Sequence, residues 1–361
     1  MNKNHYAIIL AGGVGSRFWP ISRTVHPKQF IDIIGNGKTL IQETYQRLSK
    51  ICPKENIFIL TNESYTQLVK DQLPDVTDQQ IVTEPVMRNT APCIAYGCFK
   101  IESLNPDAVI VVAPSDQQIL DEDAFISALE KSLKTAAEHH CLVTLGIKPS
   151  RPDTGYGYIQ YSDIVINDDF HKVKTFTEKP TLDIAKGFIQ SGDFLWNAGI
   201  FVWSAKAIVK AFETYMPDLH NIFDDARLVY NTEHEVAHIN QVYRHCINTS
   251  IDYGVMEKAG NVYVLPSDFG WSDLGTWASI YELSEKDRAG NAVSSNEKVI
   301  MQNSSNCVVN MPGNKLVILQ GLNNYIVVEA NNTLLICPRD QEQSVKQIVA
   351  DVKSRFGVEY V

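Results

Sequence analysis

The sequence predicts an α/β fold with a mainly parallel sheet flanked by helices, followed by a small β module. Over residues 6–150, short apolar runs of strand length alternate with amphipathic segments of helical length. Strands that alternate with helices imply right-handed crossovers and a parallel sheet, whose ligands lie at the carboxyl ends of the strands. Beyond residue 291, short β runs follow one another between turns rich in Gly, Pro and Asn.

The first part of the chain supplies five predicted strands and three predicted helices. Each helix has a start signal: a capping box at Thr39–Gln42, and helix-opening residues at Thr90–Pro92 and Asp121–Asp123. The strands, in chain order, are Tyr6–Leu10, Ile57–Thr61, Ile81–Thr83, Ala108–Ala113 and Leu142–Gly146.

The rest of the chain divides into an irregular stretch and the β module. Residues 150–290 carry aromatic and glycine-rich patches that are typical of segments lining a site. The module contains strands predicted at Lys315–Gln320, Tyr325–Ala330 and Thr333–Cys337, and an amphipathic helix is predicted over Gln341–Phe356. We therefore expect two domains, residues 1–290 and residues 291–361.

Composition excludes several classes of protein. The 361 residues carry a net charge of −10, which argues against a nucleic-acid or anionic-membrane partner. The apolar runs are of strand length only, so we expect neither a signal peptide nor a membrane span. Seven scattered cysteines include no C-x-x-C pair, which argues against a disulfide framework or a zinc site. The cytoplasm is the expected location.

A glycine-rich loop follows the first predicted strand. Gly12, Gly13 and Gly15 allow the backbone to approach a ligand closely, and successive N–H groups in such a turn form an anion site. Arg17 and Lys28 add two cations suited to phosphate oxygens. The loop therefore predicts a polyphosphate site, although a tight turn beside one solvated arginine remains an alternative.

Two common phosphate motifs do not fit this loop. The dinucleotide fingerprint G-x-G-x-x-G requires a third glycine where this chain has Phe18. A P-loop ending at Gly37–Thr39 requires an upstream glycine where this chain has Asp32. The loop is thus a phosphate site of another kind.

Two carboxylates stand where they could hold a metal. Asp116 follows the apolar run Ala108–Pro114, and Asp273 lies between two glycines in Phe269–Trp277. Mg²⁺ prefers one or two carboxylates together with substrate phosphates and waters, so the two aspartates could hold it over a triphosphate. Each could instead cap the helix that follows it.

Three further segments have the polar and aromatic character of a sugar site. Glu178 and Lys179 precede a proline at a predicted strand end, so one could serve a hydroxyl and the other a phosphate. Asn197 offers an amide donor and acceptor, and Gly157 offers backbone access between tyrosines. A solvated Glu–Lys pair is the simpler interpretation of the first segment.

Together these motifs resemble the sugar-nucleotidyltransferase family, and within it the mannose-1-phosphate guanylyltransferases. The guanylyl assignment depends on Arg88–Pro92 and Ser250–Lys258. This chain differs from the family's pattern at Gln117 and at Phe18–Ile21, but neither difference removes a charged group. The other matching segments are Leu10–Arg17, Pro27–Phe30, Glu84–Pro85, Ala113–Asp116, Pro152–Ile159, Phe176–Pro180, Trp196–Phe201, Gly270–Trp277 and Tyr325–Arg339.

The resemblance implies a Rossmann-like mixed sheet of the nucleotidyltransferase fold, a β-helix-like C-terminal module and a homodimer. It implies transfer of a guanylyl group from GTP to α-D-mannose 1-phosphate, with Mg²⁺, to give GDP-mannose and diphosphate. Long members carry a fused isomerase domain, and we expect this chain to be monofunctional. The roles implied for single residues are: catalysis by Arg17, Lys28 and Lys179; nucleotide binding by Gly12, Gly13, Gly15, Arg17, Lys28, Glu84, Arg88, Asn89, Thr90 and Asp116; sugar-phosphate binding by Gly157, Glu178, Lys179 and Asn197; metal binding by Asp116 and Asp273.

Two alternatives remain open at this stage. The first is a related enzyme that transfers a thymidylyl or uridylyl group to glucose 1-phosphate. The second is a non-catalytic regulatory subunit that binds GDP-mannose. A silent subunit could lose a phosphate-loop cation or a metal carboxylate, and this chain retains Arg17, Lys28, Asp116 and Asp273.

Overall fold

The computed structural model describes residues 1–167, 169–294 and 298–361. The α-helices in these ranges are α1 (Leu40–Leu48), α2 (Thr66–Gln72), α3 (Thr90–Leu104), α4 (Glu122–His139), α5 (Leu182–Ser191), α6 (Ala205–Tyr215), α7 (Pro217–Asp224), α8 (Glu235–Val242), α9 (Trp277–Leu283) and α10 (Val345–Phe356). The strands are β1 (His5–Leu10), β2 (Ile57–Asn62), β3 (Ile81–Glu84), β4 (Val109–Pro114), β5 (Gln118–Ile119), β6 (Leu142–Ile147), β7 (Gly157–Ile166), β8 (Phe170–Glu178), β9 (Phe194–Ser204), β10 (Val262–Ser267), β11 (Trp271–Ser272), β12 (Ala292–Ser294), β13 (Val299–Gln302), β14 (Val308–Asn310), β15 (Val317–Gln320), β16 (Tyr325–Ala330) and β17 (Thr333–Pro338).

The predicted fold class is confirmed. The five strands predicted before residue 150 correspond to β1, β2, β3, β4 and β6, and the three predicted helices to α1, α3 and α4. The predicted C-terminal strands correspond to β15, β16 and β17. The predicted terminal helix begins later than expected, because a 3₁₀ turn over Arg339–Ser344 precedes α10.

The chain forms two compact units, and each is built from several stretches of sequence. The first contains Met1–Gly12, Thr44–Ser115 and Ile119–Trp271. The second contains Gly13–Glu43, Asp116–Gln118 and Ser272–Val361. The domain division after residue 290 stays a prediction.

The first unit is built on a nine-stranded mixed sheet in the order β3-β2-β1-β4-β9-β6-β10-β8-β7. Strands β8 and β9 run against the other seven. The carboxyl ends of β1 to β4 therefore lie at one edge, where Leu10 pairs with Pro114 and Asn62 with Glu84. This edge carries Gly12 and Glu84.

Helix α3 lies close against this sheet. Its residues from Ala91 to Ile101 are buried. A Cβ on Gly97 would lie 2.9 Å from Ile8 Cδ1 and 2.9 Å from Leu60 Cδ2, closer than real Cβ contacts. Gly97 thus permits the close helix–sheet packing that fixes the N-terminus of α3 beside the carboxyl end of β3.

The second unit contains parallel ladders of short strands, as a β-helix requires. Strands β12, β14 and β16 pair in parallel, with Val308 opposite both Ala292 and Ile326. Strands β13 and β15 pair in parallel as a second ladder, with Ile300 opposite Ile318. The β-helix-like character predicted for the module is confirmed.

The glycine-loop segment belongs to this second unit and packs on its core. Phe18 and Trp19 are buried in one cluster with Trp277, Val308 and Ile326. The rings of Phe18 and Trp277 meet edge to face at 5.3 Å. The segment that carries Arg17 and Lys28 is therefore held by residues near the C-terminus of the chain.

Hydrogen bonds reinforce this packing. The buried Arg23 donates from Nη1 to the carbonyl of Glu359 at 3.0 Å and from Nη2 to Thr333 Oγ1 at 3.0 Å. Trp19 Nε1 donates to the carbonyl of Tyr360 at 2.7 Å. These long-range bonds restrict the conformation of the segment that follows the glycine loop.

All seven cysteines are buried and none forms a disulfide among the described residues. Burial raises the pKa of the Cys52 and Cys98 thiols to about 12. Within the described ranges, no helix is long and apolar enough to cross a membrane.

Candidate functional site

The glycine loop turns at Gly15, which has φ +67°. A Cβ there would lie 2.5 Å from Lys28 Cβ, so both the backbone angle and the space require glycine. The carbonyl of Gly15 accepts from Phe18 N–H at 3.0 Å and from Ser22 Oγ at 2.6 Å. The loop is therefore fixed before any ligand binds.

Lys28 connects the two aspartates that the sequence predicts as metal ligands. It lies on a 3₁₀ turn and is buried. Its Nζ donates to Asp116 Oδ2 at 3.1 Å and to the backbone carbonyl of Asp273 at 2.7 Å. Within the second unit, the structure thus brings Lys28, Asp116 and Asp273 together.

Arg17 has a different partner. It lies on the 3₁₀ turn Ser16–Phe18, and its Nε donates to Gln343 Oε1 at 3.1 Å. Gln343 belongs to the turn that precedes α10. The segment before the terminal helix therefore orients the arginine side chain.

The alternative that both aspartates cap helices is wrong. Helix α4 is capped by Asp121, whose Oδ1 accepts from Ala124 N–H at 2.9 Å. Helix α9 is capped by Thr276. Asp273 Oδ1 instead accepts from Gly275 N–H at 3.0 Å, within its own loop.

The residues present fit a magnesium ion. The Asp116 side chain is 41% exposed and has one oxygen, Oδ2, bonded to Lys28. In the part of the chain that the structure describes, no group of three or more His, Cys, Asp or Glu could hold a metal. Mg²⁺ does not need such a cage, because it takes one or two carboxylates and completes its shell with phosphates and waters.

The nucleotide-side residues of the first unit begin with Glu84. It is buried at the end of β3, with Oε1 3.3 Å from the point where Gly12 would carry a Cβ. Its Oε2 accepts from Tyr243 Oη at 2.7 Å. Burial raises the pKa of the Glu84 carboxyl to about 7, although the bonds from Tyr243 and from the Arg88 backbone oppose that shift.

Arg88, Asn89 and Thr90 all have partners in the protein. Arg88 Nη2 donates to the carbonyl of Arg244 at 3.0 Å. Asn89 has φ +66° and caps α3 by accepting from Thr90 N–H at 2.8 Å. Thr90 Oγ1 accepts from Ile251 N–H at 3.0 Å. These contacts fix the start of α3 beside Glu84.

Three predicted sugar residues meet in the first unit. Gly157 on β7 pairs with Glu178 on β8. A Cβ on Gly157 would lie 3.2 Å from Glu178 Cδ and 3.4 Å from Asn197 Cβ. Only glycine leaves this space open between the carboxylate and the amide.

Lys179 stands at the edge of this group. Its backbone has φ +46°, an uncommon conformation for a lysine, and its N–H donates to the carbonyl of Tyr156 at 3.2 Å. Its side chain is 64% exposed, with Nζ 3.4 Å from Glu178 Oε2. Strained residues of this kind often occur at functional sites.

Asp252 is a further residue of this group that was not predicted from the sequence. This buried carboxylate accepts from Asn197 Nδ2 at 2.8 Å. Burial raises the pKa of its carboxyl to about 6, and the nearby charge of Glu178 adds to that shift. An acid within the otherwise uncharged Ser250–Met256 run was a usable signal, but its partner is remote in sequence.

Comparison with known proteins gives the family. The nucleotidyl transferase family model matches residues 6–290, and a model for the mannose-phosphate isomerase and GMP-like β-helix domain matches residues 297–352. The chain therefore belongs to the nucleotidyl transferase family, and within it to the branch of the mannose-1-phosphate guanylyltransferases. Enzymes of this family generally use a divalent metal, and a nucleoside triphosphate and a sugar phosphate are the substrates that fit them.

Individual relatives agree with that assignment. An Escherichia coli mannose-1-phosphate guanylyltransferase is 35% identical over 359 residues, covering 98% of this chain and 75% of the relative. The alginate biosynthesis protein AlgA of Pseudomonas syringae pv. tomato is 36% identical, covering 98% and 72%. A crystal structure from Thermus thermophilus, named a mannose-1-phosphate geranyltransferase, has 28% identity and a TM-score of 0.86 over 97% of this chain and 99% of that one. The predicted resemblance is confirmed.

Proposed function

We propose that this chain transfers the guanylyl group of GTP to α-D-mannose 1-phosphate, for GDP-mannose biosynthesis. The observation that carries the proposal is the meeting of Gly157, Glu178 and Asn197 beside Lys179. A carboxylate, an amide and an open backbone can bind sugar hydroxyls, and a lysine beside them can bind the sugar's phosphate. The 35% identity to named mannose-1-phosphate guanylyltransferases supports this choice of substrates.

In the proposed reaction, a phosphate oxygen of mannose 1-phosphate attacks the α-phosphorus of GTP in line. A new P–O bond forms as the bond to the β-phosphate breaks, and diphosphate leaves with the electron pair. A phosphate monoester with a second pKa near about 6 is largely dianionic at neutral pH, so the attack needs no protein base. The protein's task is to position the two phosphates and balance their charge.

The second-unit residues suit the triphosphate. Gly13 leaves open space beside the loop and Gly15 lets Lys28 pack directly against it, while Arg17 and Lys28 supply positive charge. Lys28 is held between the aspartate segments and is therefore positioned in advance. Arg17 can exchange its neutral partner Gln343 for an anion, because charged hydrogen bonds are roughly twice as strong as neutral ones.

Asp116 and Asp273 would hold Mg²⁺. When bound, the ion would neutralise charge on the triphosphate and orient it. The pairing of Lys28 with Asp116 keeps this carboxylate in place and its negative charge partly balanced.

The nucleotide-side residues support binding of guanosine. Glu84 presents a buried acceptor next to Gly12, and a guanine ring offers N–H donors on one edge. Arg88, Asn89 and Thr90 would complete the base and ribose side, since their own contacts fix the adjoining backbone.

We also propose a homodimer in the cytoplasm, with no nucleic-acid or membrane partner. The second unit exposes two paired isoleucines, Ile300 (46% exposed) and Ile318 (59%), on one parallel ladder. Leu334 (54%) and Ile336 (51%) are exposed on β17. Apolar side chains exposed on regular strands favour pairing with a second copy of the chain.

A diphosphate-release assay tests the reaction. Four nucleoside triphosphates are each combined with mannose 1-phosphate or glucose 1-phosphate in the presence of Mg²⁺. We expect the highest kcat/KM with GTP and mannose 1-phosphate. Preference for a thymidine or uridine nucleotide would favour the related enzyme, and binding of GDP-mannose without turnover would favour the regulatory subunit.

A further inference from the structure

The amide of Asn197 has one permitted orientation. Its Oδ1 accepts from the backbone N–H of Gly199 at 3.0 Å and from Thr144 Oγ1 at 3.1 Å. Its Nδ2 donates to Oδ1 of Asp252 at 2.8 Å. Because a backbone N–H can only donate and an ionised carboxylate can only accept, exchanging the oxygen and nitrogen would place like groups against each other at both ends.

A local irregularity of the sheet creates this arrangement. The pairing of β6 with β9 shifts between Thr144 and Gly146, opposite residues 198–200. Gly199 has φ +68° at this bulge and turns its N–H back to Asn197. Bulges are frequent beside active sites, where they redirect a side chain.

The fixed orientation limits what Asn197 can offer a ligand. Its oxygen faces two donors, and among the described residues one of the two Nδ2 hydrogens has Asp252 as its acceptor. The remaining Nδ2 hydrogen makes the amide a donor only. Glu178 across Gly157 supplies carboxylate oxygens, which are acceptors.

Asp252 is held in place by the backbone around it. It is 9% exposed and begins the π-helical turn Asp252–Met256, a type of turn common at functional sites. The preceding segment is tied to α3 by Ile251 N–H to Thr90 Oγ1 and by Ala91 N–H to the carbonyl of Thr249. Burying a carboxylate near another acid is costly, so its presence here calls for a role in the site.

We propose that Asp252 is a positioning residue for the sugar phosphate, acting through Asn197. By holding the amide, it presents one N–H opposite the Glu178 carboxylate, so the pair fits a sugar hydroxyl that accepts from Asn197 and donates to Glu178. A sugar with that hydroxyl in another configuration leaves one of these groups unpaired, which is a strong source of discrimination. The proposal rests on the proposed function for the location of the sugar.

The test is a double-mutant cycle of Asp252→Ala and Asn197→Ala in the full chain, measured with the sugar 1-phosphate that the wild type prefers. Each single variant should lower kcat/KM for the sugar phosphate about 10-fold or more, while the KM for the nucleotide changes less than about twofold. The double variant should be no worse than Asn197→Ala by more than about twofold, because Asp252 acts through that amide and has nothing left to position once the amide is removed. In both single variants and in the double variant, the ratio of kcat/KM for mannose 1-phosphate to kcat/KM for glucose 1-phosphate should move closer to unity.

Two further variants separate positioning from folding. Asp252→Asn retains an oxygen that can accept from the Asn197 amide, so it should recover most of the lost kcat/KM and of the sugar preference. Asp225→Ala removes an exposed carboxylate at the end of α7 and should leave kcat/KM and the sugar preference at their wild-type values. Melting temperatures are recorded for every variant.

The outcomes are distinct. The proposed role of Asp252 would be overturned if the losses of kcat/KM in the double-mutant cycle were additive. It would also be overturned if Asp252→Ala kept the wild-type sugar preference. A wild type that prefers glucose 1-phosphate would overturn the proposed substrate, yet the cycle on glucose 1-phosphate would still decide the role of Asp252. If Asp252→Ala does not fold, the same comparison is made with Asp252→Leu, which is close in volume but offers no acceptor to the Asn197 amide, and unchanged kcat/KM and sugar preference in that variant would overturn the proposal.

Discussion

The Nζ of Lys28 lies 3.1 Å from Oδ2 of Asp116 and 2.7 Å from the backbone carbonyl oxygen of Asp273. The lysine is almost fully buried, so both aspartate segments fix the position of its ammonium. The glycine loop is fixed to the same lysine through the close contact of Gly15 with Lys28 Cβ. One side chain thus links the predicted phosphate loop to the predicted metal ligands.

Asp116→Asn and Asp273→Asn should each abolish most turnover while the fold is retained. Each removes negative charge from the metal position, and loss of one preorganised electrostatic group lowers kcat by about 10² to 10³. An amide oxygen at position 273 can still accept from Gly275 N–H, so the melting temperature should change little. The measurement is kcat at saturating Mg²⁺ together with the melting temperature, with Asp225→Asn as the control. A rate near that of the wild type would remove the metal role from that residue.

Lys179→Ala and Arg17→Ala should affect different substrates. Lys179 is exposed beside the sugar group of the first unit, whereas Arg17 lies on the glycine loop of the second. Loss of Lys179 should raise the KM for mannose 1-phosphate far more than the KM for GTP. Loss of Arg17 should chiefly lower the rate of the step in which the triphosphate reacts. Steady-state kinetics with each substrate varied in turn make the comparison, with exposed Lys186→Ala as the control. If each variant lowered the apparent affinity for both substrates equally, this division of roles between Lys179 and Arg17 would be contradicted.

Glu84→Gln should stabilise the protein increasingly as the pH rises from 5 to 8. Burial raises the pKa of the Glu84 carboxyl from 4.5 to about 7, so between these values the folded state holds a proton that the unfolded state has lost. The folded protein therefore loses stability as the pH rises through this window, and an uncharged glutamine avoids that loss. Melting temperatures at pH 5 and pH 8 measure the effect, with exposed Glu55→Gln as the control. A difference from wild type that stays constant between the two pH values would show that Glu84 does not titrate there.

Local sequence patterns were sufficient to predict most strands of the sheet in the first unit. Strands such as β4 are continuous apolar runs, and buried parallel strands have that pattern because both faces are covered. The cap of α4 at Asp121 could be predicted for a similar reason, since a capping residue bonds to the backbone three positions later. The motif residues Gly157, Glu178 and Asn197 were also identified, although their contact depends on strand pairing.

Features that depend on remote partners could not be predicted. The hydrogen bond of Asn197 to Asp252 joins residues 55 positions apart through a bulge and a π-helical turn. Arg17 bonds to Gln343, 326 positions away, and no local pattern indicates that contact. The sequence also suggests that an aspartate before a helix caps it, but in α9 Thr276 takes that place.

The exposed isoleucines of the second unit provide the test of the homodimer. Not all apolar runs of the β module are available for an interface, because Ile326–Val328 is buried in the core of its own unit. Ile300 and Ile318 are instead exposed and opposite each other on one ladder. An interface there would bury both side chains in each copy of the chain.

Ile318→Glu should therefore shift the protein toward monomer without unfolding it. A charged side chain costs little on an exposed strand of a monomer, but it would be buried without a partner in a dimer. Removal of the whole module is a poorer test, since Phe18 and Trp19 pack on it and would be exposed. Light scattering at micromolar concentration measures the mass of the wild type, of Ile318→Glu and of the control Ile164→Glu, which changes an isoleucine that is also 59% exposed but lies on β7. A monomeric wild type, or equal dimerisation of all three proteins, would exclude this ladder as the interface.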